Sequence, residues 1–248
     1  MAKAARRAGE SKQKFPRLAA LRARQGGGII VWDAFPNDQN IGHYPLSPSG
    51  ACAGGWPKRA FDLVLAIGFL ILLFPLLLLI ASAVRLTSPG PALFAQERGG
   101  YRGKTFRILK FRTMRSHLAE AHVKQASHRD PRVTRVGAFL RKTSLDELPQ
   151  LMNVVRGEMS LVGPRPHAVR HDYVFAAHDS RYWQRFSARP GITGLAQTRG
   201  ARGEILNVAD LNRRVDLDLD YVETCSLWGD IELLVSTLRL LFGDKNAY

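Results

Sequence analysis

The chain has 248 residues, enough for one sizeable domain with additional segments, and 46% of them are hydrophobic, which excludes a chain that is disordered throughout. Its formal net charge of +15 points to an anionic partner, namely nucleic acid, anionic lipid or a phosphorylated substrate. The two cysteines, Cys52 and Cys225, are too few and too far apart for a disulfide framework or a zinc site, and they favour a reducing, cytosol-facing location.

The first 57 residues are predicted to form a basic tail and a linker. Residues 1–28 are rich in lysine and arginine, contain Glu10 as their one acidic residue and end in a glycine run, which predicts disorder. Attraction to an anionic membrane surface and a plain solvated tail are both open readings of this charge. Prolines and glycines in residues 33–57 predict an irregular linker.

An apolar run follows from Leu63 to Val84, without one charged residue and long enough to cross a bilayer core as a helix. Basic residues flank it on both sides (Lys58, Arg59 and Arg85), and this disfavours a through-span because positive charge prefers the cytoplasmic side. Pro75, near the middle, removes a helix hydrogen bond and predicts a break or kink. Together these features predict a re-entrant membrane helix over residues 58–88, with a kinked through-span as the alternative and a buried soluble helix least favoured.

A β-hairpin is predicted next. Residues 92–95 and 105–113 have strand character and bracket a glycine-rich turn at residues 99–103. The second strand places Arg107 and either Lys110 or Arg112 at its polar positions. Charged strand faces are usually just solvated, so these residues gain interest from their neighbours along the chain.

Two adjacent carboxylates, Asp146 and Glu147, stand between arginines and in front of an apolar helical stripe formed by Leu148, Leu151, Met152 and Val155. Pro149 is tolerated only in a first helical turn, so the helix is expected to begin near Leu145 or Asp146. A helix start would favour anions such as phosphates. The same letters also match a capping box, and most such sequences are only helix starts.

The rest of the chain offers weaker signals. His167 and His171 have helical spacing but lack the glutamate of a zinc protease motif, so a surface helix is the better interpretation. Residues 189–197 form a glycine-broken loop suited to a phosphate or to an ordinary turn. Asp216, Asp218 and Asp220 have the spacing of a metal-binding Asp-x-Asp pair, but a metal role is disfavoured because they lie in a predicted helix. Helices are predicted over Val208–Thr224 and Trp228–Phe242.

Five segments together resemble the bacterial sugar transferase family, the monotopic polyprenyl-phosphate phosphoglycosyl transferases. They are KRAFD at 58–62, KFRTM at 110–114, TSLDELPQL at 143–151, GPRP at 163–166 and RPGITG at 189–194. The resemblance covers residues 57–243 and is far more specific than any one motif. It implies transfer of a sugar 1-phosphate from a UDP-sugar to undecaprenyl phosphate, with release of UMP and with Mg²⁺ as cofactor. It also implies a re-entrant helix broken at a proline, which matches Pro75.

The residues are compatible with this chemistry. Asp146 is the expected nucleophile, which would form a covalent phosphosugar intermediate, and Glu147 is the expected second catalytic carboxylate and Mg²⁺ ligand. Breaking a phosphoanhydride also requires cations that offset the charge of the diphosphate. The candidates for substrate-phosphate binding are Lys110, Arg112, Arg141, Arg165 and Arg189.

The expected architecture is α/β and mostly helical, with a short β-hairpin, a re-entrant membrane helix at residues 58–88 and a cytoplasmic catalytic head at residues 89–248. The helices Val208–Thr224 and Trp228–Phe242 are expected at the membrane interface. Resemblance to exopolysaccharide-initiating members favours glucose or galactose as the sugar. The expected location is the cytoplasmic face of the bacterial inner membrane, among its lipids, and self-association is left open.

Two alternatives belong to other classes. A non-catalytic membrane-anchored scaffold or regulator would use the basic tail for binding and would tolerate Asp146→Asn. A nucleic-acid-binding protein would show salt-sensitive retention on DNA, but no nucleic-acid motif accompanies the charge and the apolar run argues against it. The enzyme is preferred because a scaffold has no reason to place the acidic pair beside Arg141 and the GPRP segment.

Overall fold

The computed structural model describes residues 55–115 and 130–243, and its first element is the helix α1 (Trp56–Thr87), with 32 residues. Pro57 opens the helix, where its missing N–H is not needed, and Ser88 caps its end. The helix continues through Pro75, so the proline does not divide the segment into two helices; a change of direction there stays a prediction. Within the described residues, α1 is the one helix long and apolar enough to cross a membrane. The expectations for residues 1–54 lie outside the described residues.

Both ends of α1 pack on the rest of the protein, whereas its middle is exposed. Near the start, Ala66 is fully buried in the main hydrophobic core. Near the end, Ile80 and Val84 are buried in a second core with Phe111 and Leu140. The exposed large side chains between these contacts are apolar, among them Ile71, Leu72, Phe74 and Leu79. The two ends of α1 are therefore covered by protein, and the apolar surface between them is exposed.

Polar contacts fix the first turns of α1 in place. Lys58 Nζ lies 2.6 Å from Asp230 Oδ2, and both side chains are buried. Arg59 donates to the carbonyls of Val154 and Val155. Asp62 Oδ1 accepts from the Leu161 backbone N–H at 3.1 Å, which gives Asp62 a structural role.

The predicted hairpin is confirmed. Strands β1 (Leu93–Gly99) and β2 (Thr105–Phe111) pair antiparallel, with Leu93 opposite Phe111 and Gly99 opposite Thr105. The turn contains a 3₁₀ segment, Tyr101–Gly103, in which Arg102 has a φ of 56° and Gly103 a φ of 73°. The left-handed backbone there closes the hairpin.

The helix expected to begin near Leu145 or Asp146 begins later, at Gln150. Helix α2 (Arg135–Thr143) ends at Ser144, which has a left-handed φ of 57°, and a single 3₁₀ turn, Leu145–Glu147, follows. Helix α3 (Gln150–Arg156) starts after Pro149. Ser144 makes no side-chain cap hydrogen bond, so the capping box that these residues also matched is absent from this turn. We call Leu145–Glu147 the acidic turn.

The remaining elements build the body of the head. They are β3 (Ser160–Val162), α4 (Val169–His178), a 3₁₀ helix (Ser180–Ser187), β4 (Gly191–Thr193), α5 (Leu195–Thr198), α6 (Val208–Thr224) and α7 (Leu227–Gly243). Strands β3 and β4 pair in parallel. The described residues are thus mostly helical with a short antiparallel hairpin, as expected for the fold class.

Helices α6 and α7 match their predicted ranges closely, but they differ in what they expose. The buried side of α6 includes Leu211, Val215 and Val222, and its exposed side carries charge at Asp216 and Asp220. The apolar face of α6 is therefore covered by the core, and its expected place at the membrane interface stays a prediction. Helix α7 exposes large apolar side chains instead, namely Leu227, Trp228, Ile231, Val235 and Leu238.

Candidate active site

The acidic turn is held where α2 meets the end of β2. Thr134 caps α2 by accepting from the Gly137 N–H at 2.9 Å. Gly137 lies so close to β2 that a Cβ there would come within 2.1 Å of the Thr113 carbonyl oxygen. Only glycine permits this approach. The contact packs the first turn of α2 against the segment after β2. In the last turn of α2, Arg141 Nε donates to Thr113 Oγ1, and the acidic turn follows directly.

Glu147 is bound by two cations. Lys110 Nζ donates to Glu147 Oε1 at 2.8 Å, and Arg165 forms a fork with distances of 2.7 Å to Oε1 and 3.3 Å to Oε2. Burial alone would raise the pKa of Glu147, but Arg165 and Lys110 outweigh it and hold that pKa well below its usual range. Glu147 is therefore a firmly ionised carboxylate.

Asp146 has the opposite environment. Its side chain is buried, and it accepts no hydrogen bond from any residue within 55–115 and 130–243. Burial and the neighbouring charge of Glu147 raise the pKa of Asp146 to about 6, against the effect of nearby Lys110, Arg141 and Arg165. Asp146 is thus ionised at neutral pH, but its charge is poorly solvated.

The structure brings three of the five predicted cations to this pair. Lys110 and Arg165 contact Glu147 directly. Arg141 donates from Nε to Thr113 Oγ1 at 2.9 Å, and it lies close enough to Asp146 to lower its pKa. The predicted grouping of Asp146 and Glu147 with these three cations is therefore present.

Arg112 and Arg189 lie elsewhere. Arg112 is buried and donates to the carbonyls of Ser88 and Pro89, at the end of α1. Arg189 donates to the Gly157 carbonyl at 3.1 Å, beyond the end of α3, and stacks over the Tyr101 ring. Helix ends leave carbonyls that need donors, and these two arginines supply them. Neither contacts the acidic pair in the structure, so their predicted phosphate-binding role lacks structural support.

The GPRP segment, which we call the 163–166 loop, delivers Arg165 to Glu147. Gly163 lies directly against the following glycine-rich loop, where a Cβ would come within 2.2 Å of the Arg189 carbonyl oxygen. Residues 189–194 thus support the 163–166 loop through their backbone. This is how the sequence segment around Arg189 contributes to the site.

Behind the 163–166 loop lies a buried polar group of residues that sequence reasoning missed. It consists of Arg98, His167, Asp172, Tyr182, Arg185, Arg214 and Asp218, and we call it the inner cluster. Tyr182 donates to Asp172 Oδ1 at 2.5 Å and lies 2.6 Å from His167 Nδ1. Arg185 pairs with Asp218 at 2.7 Å. No spacing in the sequence signals this grouping, because its members come from five separate segments.

The inner cluster corrects two expectations. His167 and His171 were expected on a surface helix, but both are buried, and His167 precedes α4. Burial, followed by the charges of Arg185 and Arg214, holds the pKa of His167 well below its usual range. Of the Asp-x-Asp residues, Asp218 pairs with Arg185 and Asp216 with Arg181, which agrees with the disfavoured metal role.

A further contact joins the acidic turn to the segment after α5. Arg202 Nη2 donates to Ser144 Oγ, immediately before the acidic turn. Arg214 donates to the Gly203 carbonyl at 2.6 Å and so ties the same segment to the inner cluster. The segment around Arg202 therefore forms one side of the site.

The donor set suits a single hard cation that shares its coordination with a substrate. No group of three or more His, Cys, Asp or Glu side chains suited to a metal occurs in the described parts of the chain. Glu147 Oε1 already accepts two hydrogen bonds, whereas Oε2 accepts one and keeps a free lone pair. Mg²⁺ needs only one or two protein carboxylates when waters and phosphates complete its shell. Glu147 Oε2 fits this requirement with its cation pairs intact.

Comparison with known proteins places this geometry in context. A model of the family described as bacterial sugar transferase matches residues 54–244. A Caulobacter vibrioides protein named UDP-glucose:undecaprenyl-phosphate glucose-1-phosphate transferase is 49% identical over 216 residues, which cover 87% of this chain and 81% of that protein. An Escherichia coli protein of the same name is 48% identical over 191 residues, which cover 77% of this chain and 41% of that protein.

A third relative, from Rhizobium leguminosarum, is named exopolysaccharide production protein PSS. It is 44% identical over 185 residues, which cover 73% of this chain and 92% of that protein. The chain thus spans less than half of the Escherichia coli relative but most of the other two.

Proposed function

The chain belongs to the bacterial sugar transferase family, and from this premise we propose that it transfers a hexose 1-phosphate from a UDP-hexose to undecaprenyl phosphate and releases UMP. The names of two relatives favour glucose as the hexose. Galactose, the other sugar that the sequence resemblance favours, is the next choice. The name of a third supports a role in exopolysaccharide production, as its first membrane step.

One observation supports the proposal most strongly: two adjacent carboxylates in one turn have different hydrogen bonding. The oxygens of Glu147 accept three hydrogen bonds from Lys110 and Arg165. Asp146 is buried and has no hydrogen-bond donor among the described residues. A poorly solvated carboxylate is the better nucleophile, since fewer hydrogen bonds must break before it attacks. Asp146 is therefore assigned as the nucleophile.

In the first step, an Asp146 Oδ atom attacks the β-phosphorus of the UDP-hexose. A bond forms between that oxygen and the phosphorus, and the bond from the phosphorus to the bridging oxygen breaks. UMP leaves with the bridging oxygen, and the hexose phosphate stays on Asp146 as an acyl phosphate. No proton transfer is required, because the leaving phosphate is stable as an anion.

In the second step, an oxygen of undecaprenyl phosphate attacks the same phosphorus. The acyl phosphate bond breaks, Asp146 returns as a carboxylate, and the product is undecaprenyl diphosphate hexose. Two displacements at one phosphorus predict ping-pong kinetics.

Both steps bring an anion towards an anion, so cations must offset the repulsion. Lys110 and Arg165 lie on Glu147, at the edge of the acidic pair, and Arg141 lies near Asp146. Arginine offers a planar fork that matches phosphate oxygens, and lysine offers a point charge. These three residues are assigned to the diphosphate.

Mg²⁺ belongs to the proposal as cofactor, and Glu147 would hold it through Oε2. When bound, the ion offsets negative charge on the diphosphate. Lys110 and Arg165 keep Glu147 ionised and fixed in direction, which is what a metal ligand requires.

The membrane helix is proposed to be re-entrant. Support comes from its two ends, which pack against one folded head while the apolar middle of α1 is exposed. A helix crossing the bilayer would separate its ends by the roughly 30 Å of the hydrocarbon core. The exposed apolar side of α7 would lie at the same interface. This arrangement holds the acidic turn near lipid headgroups, on the cytoplasmic face of the inner membrane.

The reaction is tested with purified protein, Mg²⁺, undecaprenyl phosphate and a series of UDP-sugars. UMP release is expected with UDP-glucose or UDP-galactose. With UDP-glucose labelled in the β-phosphate and no lipid acceptor, the label should attach to the protein and be lost in Asp146→Asn. Turnover without any attached label at short times would contradict the covalent route. A scaffold would give no UMP at all.

Topology is tested separately in cells. Accessibility labels at Met1 and Tyr248 should both react from the cytoplasmic side. Labels on opposite sides of the membrane would contradict the re-entrant helix and favour a through-span.

A further inference from the structure

The 163–166 loop is held from behind by two arginines of the inner cluster, the buried Arg185 and the half-buried Arg98. The Arg165 carbonyl accepts from Arg185 Nη2 at 2.8 Å. The Pro166 carbonyl accepts from Arg98 Nη1 at 3.3 Å. The side chain of Arg165 points the other way, to Glu147. The backbone of one residue is thus anchored in the inner cluster while its side chain serves the acidic pair.

Arg185 is itself fixed in every direction. Its Nε donates to Asp218 Oδ2 at 2.7 Å, and the exposed fraction of each side chain is 2% or less. Its guanidinium lies over the Tyr182 ring, 4.6 Å from the centroid. Nη2 is then the donor that reaches the 163–166 loop. The geometry needs a planar fork with donors in two directions, which lysine does not provide.

A small, partly open pocket lies beside this arginine and the loop, lined by Gly99, Pro164, Arg165, Pro166, Arg185 and Phe186, among others. A loop that borders a cavity has fewer packing contacts to fix it. The hydrogen bonds from Arg185 and Arg98 therefore contribute more than side-chain packing to the position of Arg165.

We propose that Arg185, oriented by Asp218, is a positioning residue that sets the backbone of Arg165 so that its fork reaches Glu147. It touches neither substrate nor acidic pair, and it acts through Arg165 alone. The inference rests on the proposed function, because Arg165 is assigned there to the diphosphate. It adds a link from α6, through the 3₁₀ helix Ser180–Ser187, to the acidic turn.

The first test is a double-mutant cycle on single-turnover UMP release from UDP-glucose. Arg185→Lys keeps a positive charge opposite Asp218 but removes the fork. It is expected to lower kcat/KM about tenfold in the wild-type background, and by less than twofold when Arg165 is already alanine. A residue that only stabilised the fold would lower activity by the same factor in both backgrounds, and that additive outcome would overturn the proposal.

Arg181→Lys is the matched control. Arg181 lies in the same 3₁₀ helix and pairs with Asp216 of the same helix α6, but it makes no hydrogen bond to the 163–166 loop. Its kcat/KM should match wild type within twofold. Asp218→Asn, which removes the anion that orients Arg185, should repeat the Arg185→Lys pattern more weakly. If neither inner variant folds while the control does, the pair is structural and the proposal is wrong.

The second test does not depend on the reaction. Hydrogen–deuterium exchange of the peptide covering residues 160–168 should rise at least threefold in Arg185→Lys and stay at the wild-type rate in Arg181→Lys. If wild-type protein releases no UMP from any UDP-sugar, the proposed function fails, and exchange in this peptide still decides whether Arg185 holds the loop. Unchanged exchange in Arg185→Lys would overturn the inference alone.

Discussion

The acidic turn and the inner cluster are built from the same materials, buried carboxylates and arginines, but they use them differently. In the inner cluster, Asp218 is paired with Arg185, and Asp172 accepts from Tyr182. In the acidic turn, Glu147 is paired twice, whereas Asp146 has no donor among the described residues. The clusters touch at one residue, Arg165, whose carbonyl belongs to one and whose side chain belongs to the other.

This difference helps to distinguish a buried carboxylate that reacts from one that stabilises the fold. Both Asp146 and Asp172 have a pKa raised chiefly by burial, to about 6 and about 7 respectively. A raised pKa alone therefore does not separate a reactive carboxylate from a structural one. Their surroundings separate them: Asp146 has three cations nearby and no hydrogen-bond donor among the described residues, whereas Asp172 accepts a hydrogen bond from Tyr182 beside an aromatic core.

The largest effect is expected when the carboxylate of the proposed nucleophile is replaced by an amide. Asp146→Asn should lower UMP release by at least about 10³-fold, because the amide cannot form the acyl phosphate. The variant should melt no lower than wild type at pH 7.5, since a buried, unpaired charge is removed. Residual activity within tenfold of wild type would remove Asp146 from the mechanism.

A smaller loss is expected at the paired carboxylate. Glu147→Gln keeps the shape of the side chain but removes the charge that Lys110 and Arg165 share. We expect kcat/KM to fall about 10²-fold and the Mg²⁺ concentration for half-maximal rate to rise. Label from the β-phosphate should still attach to this variant, slowly. Complete absence of attached label would assign Glu147 a part in the attack itself.

The matched change in the inner cluster should alter stability and leave the reaction nearly intact. Asp172→Asn should keep kcat within about threefold of wild type at pH 7.5, measured by UMP release. The pKa of Asp172 is raised from 3.8 to about 7, chiefly by burial, so the folded state prefers the protonated acid.

The sign of its pH effect follows from that preference. Stability contributed by protonated Asp172 is fully present below about pH 4 and is lost as the pH rises to about 7. Wild type should therefore lose stability relative to Asp172→Asn across this window, by at most about 4 kcal/mol. Urea unfolding at pH 4.5, 6 and 7.5 measures the difference. A constant difference at all three pH values would contradict the shifted pKa.

The smallest effect is expected on the exposed face of α6. Asp216 is 58% exposed and pairs with Arg181, which is 48% exposed. Asp216→Asn should change the free energy of unfolding by less than about 1 kcal/mol and leave UMP release unchanged. A large loss of activity would revive a metal role for the aspartates of α6.

Much of the fold follows from periodicity. The hairpin and the helices α6 and α7 have apolar patterns that fit one structure, and their ranges agree with the sequence within a few residues. The membership in the sugar transferase family is confirmed, because five short motifs in one order are specific together. Asp146 and Glu147 were predicted as site residues because they lie in one of these motifs.

The errors have physical causes. The helix expected at Leu145 begins at Gln150, because Ser144 takes a left-handed turn that no propensity rule predicts. The phosphate-binding role of Arg112 and Arg189 stays a prediction, because in the structure both arginines donate to carbonyls near helix ends. Sequence does not say which acceptor wins.

The inner cluster was missed for a different reason. Its hydrogen bonds join residues that are far apart along the chain, such as His167 with Arg214 and Arg185 with Asp218, and no short spacing encodes them. The interfacial placement of α6 stays a prediction, because an amphipathic helix has one apolar face and the sequence does not say whether protein or lipid covers it.

The long helix α1 has a consequence for how this protein is made. The ribosome synthesises residues 56–87 before the residues that pack against this helix. These are Phe111, Leu140 and the main core from Phe106 to Val222. At this stage the nascent chain exposes a strongly apolar segment before the protein residues that pack against it have been made. If the bilayer takes up this segment as proposed, we expect the head to dock onto both helix ends only afterwards, as the last event in biogenesis.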